Sequence, residues 1–218
     1  MRVVLIEGMP GSGKSTLADN LSNLLKEQGI QSCSYQELLK DHPVFPCRRK
    51  GSDVHDGQYL KKELSSWRKF VAVNSHKNVT YFFDAAPFQN SVRFAMESCN
   101  SEKCEWYISE LSEILDGVNP SLIYLRPDCA FTQTDFCIRD KGEAWSKNVS
   151  AYLESTCYSR ERDWKGVDGM SRFWSNYVSL CDSLVSKVTM PKRVIRSVPG
   201  EWSRIQNEAL SFIGEAMA

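Results

Sequence analysis

A glycine-rich segment near the start of the chain restricts the possible folds more than any other feature. It reads Gly8-Met9-Pro10-Gly11-Ser12-Gly13-Lys14-Ser15, with Thr16 next. This order fits G-x-x-x-x-G-K-[ST], the pattern of a phosphate-binding loop. The glycines at 11 and 13 let backbone N–H groups curl around an anion. The lysine can reach the β- and γ-phosphates of a nucleotide, and the next hydroxyl can bind Mg²⁺. The segment predicts binding of a nucleoside triphosphate with Mg²⁺.

The residues on either side of this segment support the same interpretation. The run Val3-Val4-Leu5-Ile6 is continuously apolar, as in a strand that is buried on both faces. Downstream, leucines at 17, 21, 24 and 25 recur at helical spacing, and Gly29 ends the pattern. A chance match in a glycine-rich turn is the alternative, but a strand, a glycine loop and a helix in this order are the context that a phosphate-binding loop requires.

Composition narrows the class of protein. A chain of 218 residues is long enough for one substantial core, and without repeats or linkers we expect a single domain over residues 1–218. Its 27 basic residues balance its 27 acidic ones, so no overall field favours nucleic acid, and no apolar run is long enough to predict a membrane span. The N-terminal strand leads straight into the glycine loop, so we do not expect a removable signal.

The cysteines are scattered along the chain. They occupy positions 33, 47, 99, 104, 129, 137, 157 and 181, without a C-x-x-C pair. A metal or disulfide framework calls for tighter clustering. We therefore expect reduced, mostly buried or incidental thiols, which indicates a cytoplasmic protein.

Short apolar runs alternate with helical patterns. Strands are predicted at 3–6, 31–35, 79–84, 122–125 and 193–196, and helices near 14–28, 57–74, 89–98, 102–116, 128–140, 144–160, 168–187 and 201–216. This alternation predicts an α/β fold with a parallel sheet, whose ligands bind at the carboxyl ends of the strands. Five polar residues fall at those ends, namely Glu7, Glu37, Asp84, Arg126 and Ser197. Residues 41–58 hold prolines and glycines without periodicity, and we expect them to form a substrate loop.

Residues 6–18 resemble the opening of the thymidylate kinases and deoxynucleoside kinases, and residues 119–125 resemble the fourth strand of the former. The resemblance implies a three-layer P-loop fold with strand order 2-3-1-4-5, and a lid over ATP, which we place near 139–168. Two thymidylate kinase motifs are missing. Asp84 is followed by two alanines in place of the usual arginine, and Glu37 alone stands where R-E-P-G is expected. The resemblance thus implies phosphoryl transfer, with an acceptor other than thymidylate.

Four further positions are candidates for the reaction. Deoxynucleoside kinases place a proton-accepting glutamate where Glu37 stands, although an ordinary helix cap is the alternative. Asp84 ends an apolar strand and can hold Mg²⁺ opposite Ser15, unless it is a solvated loop carboxylate. Arg139 precedes Gly142 at a predicted hinge and can stabilise the transition state, unless it lies on a solvated helix face. Pro199 lies in a loop that contacts adenine in the similar kinases, or in a simple turn.

For the other polar and aromatic residues, a structural role at the surface or in the core is the more common interpretation. Gln89 and Asn90 can bind an acceptor, but surface amides are the commoner case. Arg126 can face phosphate, and Lys141, Arg160, Arg162 and Lys165 form the basic content of the predicted lid. Arg48, Arg49 and Lys50 of the predicted loop can recognise an anionic acceptor, and the histidines at 42 and 55 can shuttle a proton or contact the acceptor, but a solvated loop surface is the commoner case and is expected for all five. The aromatic residues at 145, 152, 158, 173, 174 and 177 are expected to pack the core and the lid.

Taken together, these features predict an ATP-dependent kinase. Lys14 with the rest of the loop would hold the phosphates of ATP, Ser15 and Asp84 would hold Mg²⁺, Glu37 would accept a proton, and Arg139 would stabilise the transition state. The acceptor is a small molecule, either nucleoside-like or another metabolite. The alternative is a P-loop ATPase or nucleotide-dependent switch that acts on a protein partner. The base-recognition and switch motifs of GTPases do not occur at suitable places.

Overall fold

The computed structural model describes residues 1–37, 39–45 and 58–215. The predicted substrate loop is therefore described only at its edges, and Arg48, Arg49, Lys50 and His55 lie outside the described residues. Five strands are present in the described part: β1 Arg2–Gly8, β2 Ser32–Tyr35, β3 Thr80–Asp84, β4 Pro120–Pro127 and β5 Lys192–Ser197. Each matches a predicted strand to within two residues at either end.

The helices fill the connections between these strands. They are α1 Lys14–Glu27, α2 Gln58–Asn74, α3 Arg93–Glu97, α4 Lys103–Leu115, α5 Ala130–Glu154, α6 Cys157–Arg160, α7 Gly166–Lys187 and α8 Trp202–Glu215. A π-helical turn over Ala86–Val92 joins β3 to α3. In the described part of the chain, no helix is long and apolar enough to cross a membrane.

The strands form one parallel sheet in the order β2-β3-β1-β4-β5, which confirms the predicted α/β fold and its strand order. Because β1 lies at the centre, the loop that follows it opens between the ends of its two neighbours. The register pairs Ile6 with Asp84 on one side and Gly8 with Leu125 on the other. The polar residue that ends β3 is therefore brought beside the glycine-rich segment.

Two separate apolar clusters cover the two faces of the sheet. Val3 and Leu5 of β1 belong to one cluster, which includes residues of α2, α4 and α7. Val4 and Ile6 belong to the other, which includes residues of α1 and α8. Alternate residues of a strand point to opposite faces, so the continuously apolar sequence of β1 is explained by burial on both sides.

Two connections differ from the expected ones. The predicted helix over 89–98 is a π-helical turn followed by the short α3, and it begins three residues earlier. The predicted helices over 128–140 and 144–160 are joined into α5, which is interrupted at Gly142 with φ 83° and ψ 173°. Only glycine adopts such a conformation readily, so the predicted hinge is present as a sharp kink inside one helix.

Candidate functional site

The glycine-rich segment forms a compact turn between β1 and α1. Ser12 N–H donates to the Met9 carbonyl at 3.2 Å, and Leu17 N–H donates to the Gly13 carbonyl at 2.9 Å as α1 begins. The Lys14 side chain is buried although it is charged. Its ammonium donates to the Met9 carbonyl at 3.1 Å and to Gln89 Oε1 at 2.7 Å. The lysine is therefore folded back over its own loop and anchored on the turn after β3.

Neighbouring helices pack closely on two glycines of this loop. Gly11 has φ 74°, and a Cβ at that position would collide with Cys137 Sγ of α5. Gly13 has φ 88°, and a Cβ there would lie 2.6 Å from the Trp202 ring of α8. The Cys137 thiol also donates to the Pro10 carbonyl at 3.0 Å. Glycine is required at both positions by its backbone conformation and by these contacts.

The Ser15 hydroxyl donates to Asp84 Oδ2 at 2.5 Å, across 69 residues of sequence. The second carboxylate oxygen, Asp84 Oδ1, is buried and has no hydrogen-bond partner among the described residues. A hydroxyl oxygen and a carboxylate with a spare buried oxygen are hard donors of the kind that Mg²⁺ prefers. These two residues fit a magnesium ion that binds beside the glycine loop.

Glu37 lies two residues beyond β2, where its Oε2 accepts a hydrogen bond of 2.7 Å from Gln89 Nε2. The same carboxamide accepts from Lys14, so Gln89 joins the predicted base to the phosphate-loop lysine. The surface position expected for Gln89 and Asn90 is wrong, because both are buried in the π-helical turn. A π-turn inserts an extra residue per turn and frequently occurs at functional sites.

A further carboxyl group lies beneath the loop. Glu7 of β1 is completely buried, and burial raises its pKa to about 8, although nearby Lys14 and backbone N–H groups act in the opposite direction. Gln89 N–H donates to Glu7 Oε2 at 3.2 Å, and Glu7 Oε1 has no partner among the described residues. Around neutral pH this group is largely protonated, which limits the negative charge next to the phosphate loop.

A cavity of about 390 Å³ opens at these residues. The loop residues Lys14 and Ser15 lie on one side, with Glu37, Asp84 and Gln89 next to them. Its other lining residues are Pro10, Gly11, Gln36, Arg93, Lys141, Trp145, Val149, Tyr152, Leu153 and Trp174. A larger depression of about 710 Å³, between α4 and α7, is lined by none of the predicted site residues. The smaller cavity therefore contains the candidate site.

Arg93 also lines this cavity, and its sequence context does not single it out as a site residue. Its Nε donates to the Gln89 carbonyl at 2.7 Å, and its Nη1 donates to Glu97 Oε1 at 2.5 Å. Tyr152 of α5 donates to the other Glu97 oxygen at 2.6 Å. Burial lowers the pKa of Arg93, but the nearby Glu97 carboxylate raises it, and the net shift is upward. The guanidinium therefore stays charged. The signal that could have found it is the four-residue spacing from Gln89, which places the two side chains on the same face of a helix.

Other predicted residues lie outside the cavity lining. Arg139 is exposed on the first half of α5, three residues before the kink at Gly142. Arg126 is held by Asp182 of α7, with three N–O distances of 2.9 to 3.0 Å. Pro199 is exposed in the turn after β5, although the preceding Ser197 hydroxyl donates to the Ser12 carbonyl at 3.3 Å. The structure brings Lys141 rather than Arg139 to the cavity.

Two other expectations concern side chains near the site. His42 was expected on a loop surface, but it is buried and its ring stacks on Phe45 with centroids 4.4 Å apart. Burial lowers its pKa to about 4, so the imidazole is neutral at physiological pH. Trp145, Tyr152 and Trp174 were expected to pack the core and the lid, and they also line the cavity. Aromatic spacing in the sequence does not reveal which edge of a ring faces a cavity.

Comparisons with known proteins agree with this architecture. The family described as Chromatin associated protein KTI12 matches residues 1–105, just under half of the chain. No curated protein matches the chain. The chain is similar in structure to the YorR protein of Bacillus subtilis in complex with phosphorylated GDP, with a TM-score of 0.54, 13% identity and coverage of 97% of this chain and 95% of that one. It is also similar to deoxyadenosine kinase from M. mycoides with bound dATP, with a TM-score of 0.50, 16% identity and coverage of 97% and 98%.

Proposed function

The chain has the fold of the P-loop nucleoside and nucleotide kinases, and on this premise we propose that it transfers the γ-phosphoryl group of ATP to a small-molecule acceptor. One observation carries the proposal. One cavity is lined by the phosphate-loop lysine Lys14, by the magnesium donors Ser15 and Asp84, and by Glu37, a carboxylate that can accept a proton. Gln89 joins Lys14 to Glu37 through two hydrogen bonds. A protein that only hydrolysed ATP would also need a group to orient water, so the acceptor-sized space beside Glu37 is the feature that favours transfer to a small molecule.

The glycine loop provides the phosphate site. Its backbone N–H groups and the N-terminus of α1 face the position of the β-phosphate, and both favour negative charge. Lys14 lies within the same site but is bonded to Met9 and Gln89. We propose that the ammonium exchanges these two carbonyl partners for phosphate oxygens when ATP enters.

Ser15 and Asp84 would hold the magnesium ion. When bound, Mg²⁺ would neutralise negative charge that develops on the phosphates during transfer. The short hydrogen bond between the two side chains opens for this purpose, and Asp84 Oδ1 is already without a partner among the described residues. The two residues thus serve as one ligand pair.

Glu37 would act on the acceptor. A general base must lie within hydrogen-bond reach of the proton it removes, and its carboxylate borders the cavity opposite Lys14. Gln89 fixes its orientation by donating to Oε2, so Oε1 remains available to an acceptor hydroxyl. The aromatic side chains of Trp145 and Trp174 give the acceptor side of the cavity apolar walls.

The lid would consist of the second half of α5 together with α6 and the joint before α7, within the predicted 139–168 segment. Gly142 marks its first end, and Lys141 supplies a cation next to that kink. Closing of the lid is expected to exclude water and to bring its basic residues toward the phosphates, where they would join Arg139 of the first half of α5. We propose that the phosphate site and the lid belong to one catalytic domain over residues 1–218.

The activity is tested with γ-labelled ATP and Mg²⁺, with and without a pooled small-molecule extract. Label transferred to an organic product is expected for the wild-type protein and not for Lys14→Ala. A matched control is Lys26→Ala, which removes an exposed lysine from the same helix. Label that appears only as inorganic phosphate, at a rate independent of the extract, would contradict the proposal.

The second candidate is a nucleotide-dependent switch or ATPase that acts on a protein partner. The match of residues 1–105 to a family described as chromatin associated favours it, because that description names no small-molecule acceptor. In that case ATP hydrolysis would be stimulated by a protein and not by the extract. Chromatin association would also replace the predicted cytoplasmic location. Protein and small-molecule fractions of the same extract, assayed separately, distinguish the two candidates.

A further inference from the structure

Three potential metal ligands meet outside the proposed catalytic site. The ligand atoms of Cys99, Cys157 and Glu161 all lie within 4.8 Å of one another. These residues come from two regions that are almost 60 positions apart, so no spacing pattern in the sequence indicates the cluster. We propose that they form a binding site for a divalent cation of the zinc class, with water as the fourth ligand. Binding of the cation does not depend on the proposed phosphoryl transfer, whereas the mechanical role given to it below rests on that proposed function.

The helix α6 presents two of the ligands on one face. Thr156 caps this helix by accepting from Ser159 N–H at 3.3 Å, and Glu161 N–H donates to the Cys157 carbonyl at 3.0 Å. Cys157 and Glu161 are therefore separated by one helical turn, which places their side chains side by side. Their Sγ and Oε1 atoms are 3.5 Å apart. With zinc-ligand distances of about 2.3 Å to sulfur and about 2.1 Å to oxygen, adjacent vertices of a tetrahedron are about 3.6 Å apart.

The third ligand comes from the end of α3. Cys99 N–H donates to the Met96 carbonyl at 3.0 Å, and Asn100 N–H donates to the Ala95 carbonyl at 2.7 Å. This pair of bonds is the Schellman arrangement, in which glycine usually occupies the left-handed position. Here Cys99 occupies it with φ 57°, and its thiol completes the cluster.

The surroundings of the cluster suit a cation with one open coordination position. Glu161 is exposed, and both cysteines are partly buried, so water can reach the cluster from the side of the carboxylate. Arg162 contacts the other oxygen of Glu161, Oε2, at 3.6 Å, and its guanidinium lies over the Tyr158 ring. Oε1 is thus directed to the sulfur atoms. Thiolate and carboxylate donors in a tetrahedral set favour zinc over magnesium or calcium.

The position of the cluster gives the cation a mechanical role. α3 begins at Arg93, directly after the turn that carries Gln89, and α6 belongs to the proposed lid. These regions are already linked by the hydrogen bond from Tyr152 to Glu97. A bound cation would add a second link, and its binding would release the two thiol protons to solvent. The cation would therefore fasten the base of the lid to the acceptor side of the cavity.

Cobalt titration of the full-length, reduced protein tests the proposal, because Co²⁺ bound by thiolates has a sulfur-to-metal charge-transfer band that oxygen ligands do not produce. We expect one equivalent to generate this band, and excess Zn²⁺ to abolish it. The band should be lost in Cys99→Ser and in Cys157→Ser. It should be unchanged in Cys129→Ser, which removes an exposed thiol at the start of α5.

Glu161→Gln keeps both thiols and changes an exposed side chain, so it is expected to fold. Its affinity for Co²⁺ should fall at least about tenfold, because a neutral amide is a weaker ligand than a carboxylate. Zinc should raise the thermal midpoint of the wild-type protein more than that of this variant. The proposal is overturned if the reduced wild-type protein has no charge-transfer band, or if the band persists in both Cys99→Ser and Cys157→Ser. It is also overturned if Glu161→Gln binds Co²⁺ as tightly as the wild type.

Discussion

Lys14 of the glycine loop and Glu37 beyond β2 are joined through a single carboxamide. Gln89 accepts from the Lys14 ammonium at 2.7 Å and donates to the Glu37 carboxylate, also at 2.7 Å. The proposed phosphate-binding and proton-accepting groups are therefore held at a fixed separation before any ligand enters. When ATP enters and Lys14 turns to the phosphates, the hydrogen bond from Gln89 to Glu37 can remain and keep that carboxylate oriented.

Glu37→Gln should reduce phosphorylation of the acceptor by about 10²- to 10⁴-fold, the usual contribution of a general base. Affinity for ATP should remain, because among the described residues the hydrogen bond of this side chain goes to Gln89 and not to the glycine loop. The measurement is transfer of label from γ-labelled ATP together with equilibrium binding of ATP. Asp41→Asn, a change of an exposed carboxylate four residues away, serves as the control. Undiminished transfer in Glu37→Gln would remove the role assigned to this residue.

Gln89→Glu should weaken ATP binding several-fold. A carboxylate in place of the amide oxygen would hold Lys14 as an ion pair that competes with phosphate, and it would repel Glu37. Gln36→Glu adds the same charge at the same cavity without a contact to Lys14, so its effect should be smaller. Calorimetric titration with ATP and Mg²⁺ measures both. If Gln89→Glu and Gln36→Glu lost the same affinity for ATP, the added negative charge, and not the contact with Lys14, would explain the loss.

Gly11→Ala should abolish ATP binding and destabilise the protein. The new methyl group would meet Cys137 Sγ, and a left-handed conformation costs a residue other than glycine about 1–2 kcal/mol. Gly29→Ala has nearly the same φ, 77°, but open space around the added carbon, so it should show only the conformational cost. Chemical denaturation and ATP titration separate the two effects. A loss of stability in Gly11→Ala no larger than in Gly29→Ala would argue against the tight contact with α5.

Glu7→Gln should change how stability depends on pH. The pKa of Glu7 is about 8 in the folded protein and near 4.5 in the unfolded chain. Between these values the folded state holds a proton that the unfolded state releases, so the free energy of unfolding falls as pH rises, by at most about 1.4 kcal/mol per pH unit. The lowered pKa of His42 acts in the opposite direction, because the unfolded chain still binds part of a proton near pH 6.5, but this contribution fades above about pH 7.5 and is the same in the wild type and in Glu7→Gln.

Denaturation at several pH values between 6.5 and 8 measures how the free energy of unfolding of the wild type and of Glu7→Gln depends on pH. The wild-type protein should lose stability across the range more steeply than Glu7→Gln, which has no proton to release. Glu102→Gln alters an exposed carboxylate and should follow the wild type. Parallel curves for wild type and Glu7→Gln would mean that Glu7 is ionised in the folded protein.

The sequence by itself determined the order of the elements and the position of the glycine loop. Continuous apolar runs predicted buried strands, helical spacing predicted the connections, and G-x-x-x-x-G-K-S fixed the phosphate site. These signals are local, because each depends on residues within a few positions of one another. The resemblance over residues 6–18 added the strand order, which the sheet confirms.

The partners of the site residues were decided by the tertiary structure. Gln89 was expected at the surface because a neutral amide has no periodic signature, yet the π-helical turn buries it between Lys14 and Glu37. Arg126 was a candidate to face phosphate, but its guanidinium binds Asp182, a partner that depends on the packing of β4 against α7. The cluster of Cys99, Cys157 and Glu161 also depends on the meeting of two distant segments. Long-range contacts arise from packing of whole elements, and no local pattern of residues specifies them.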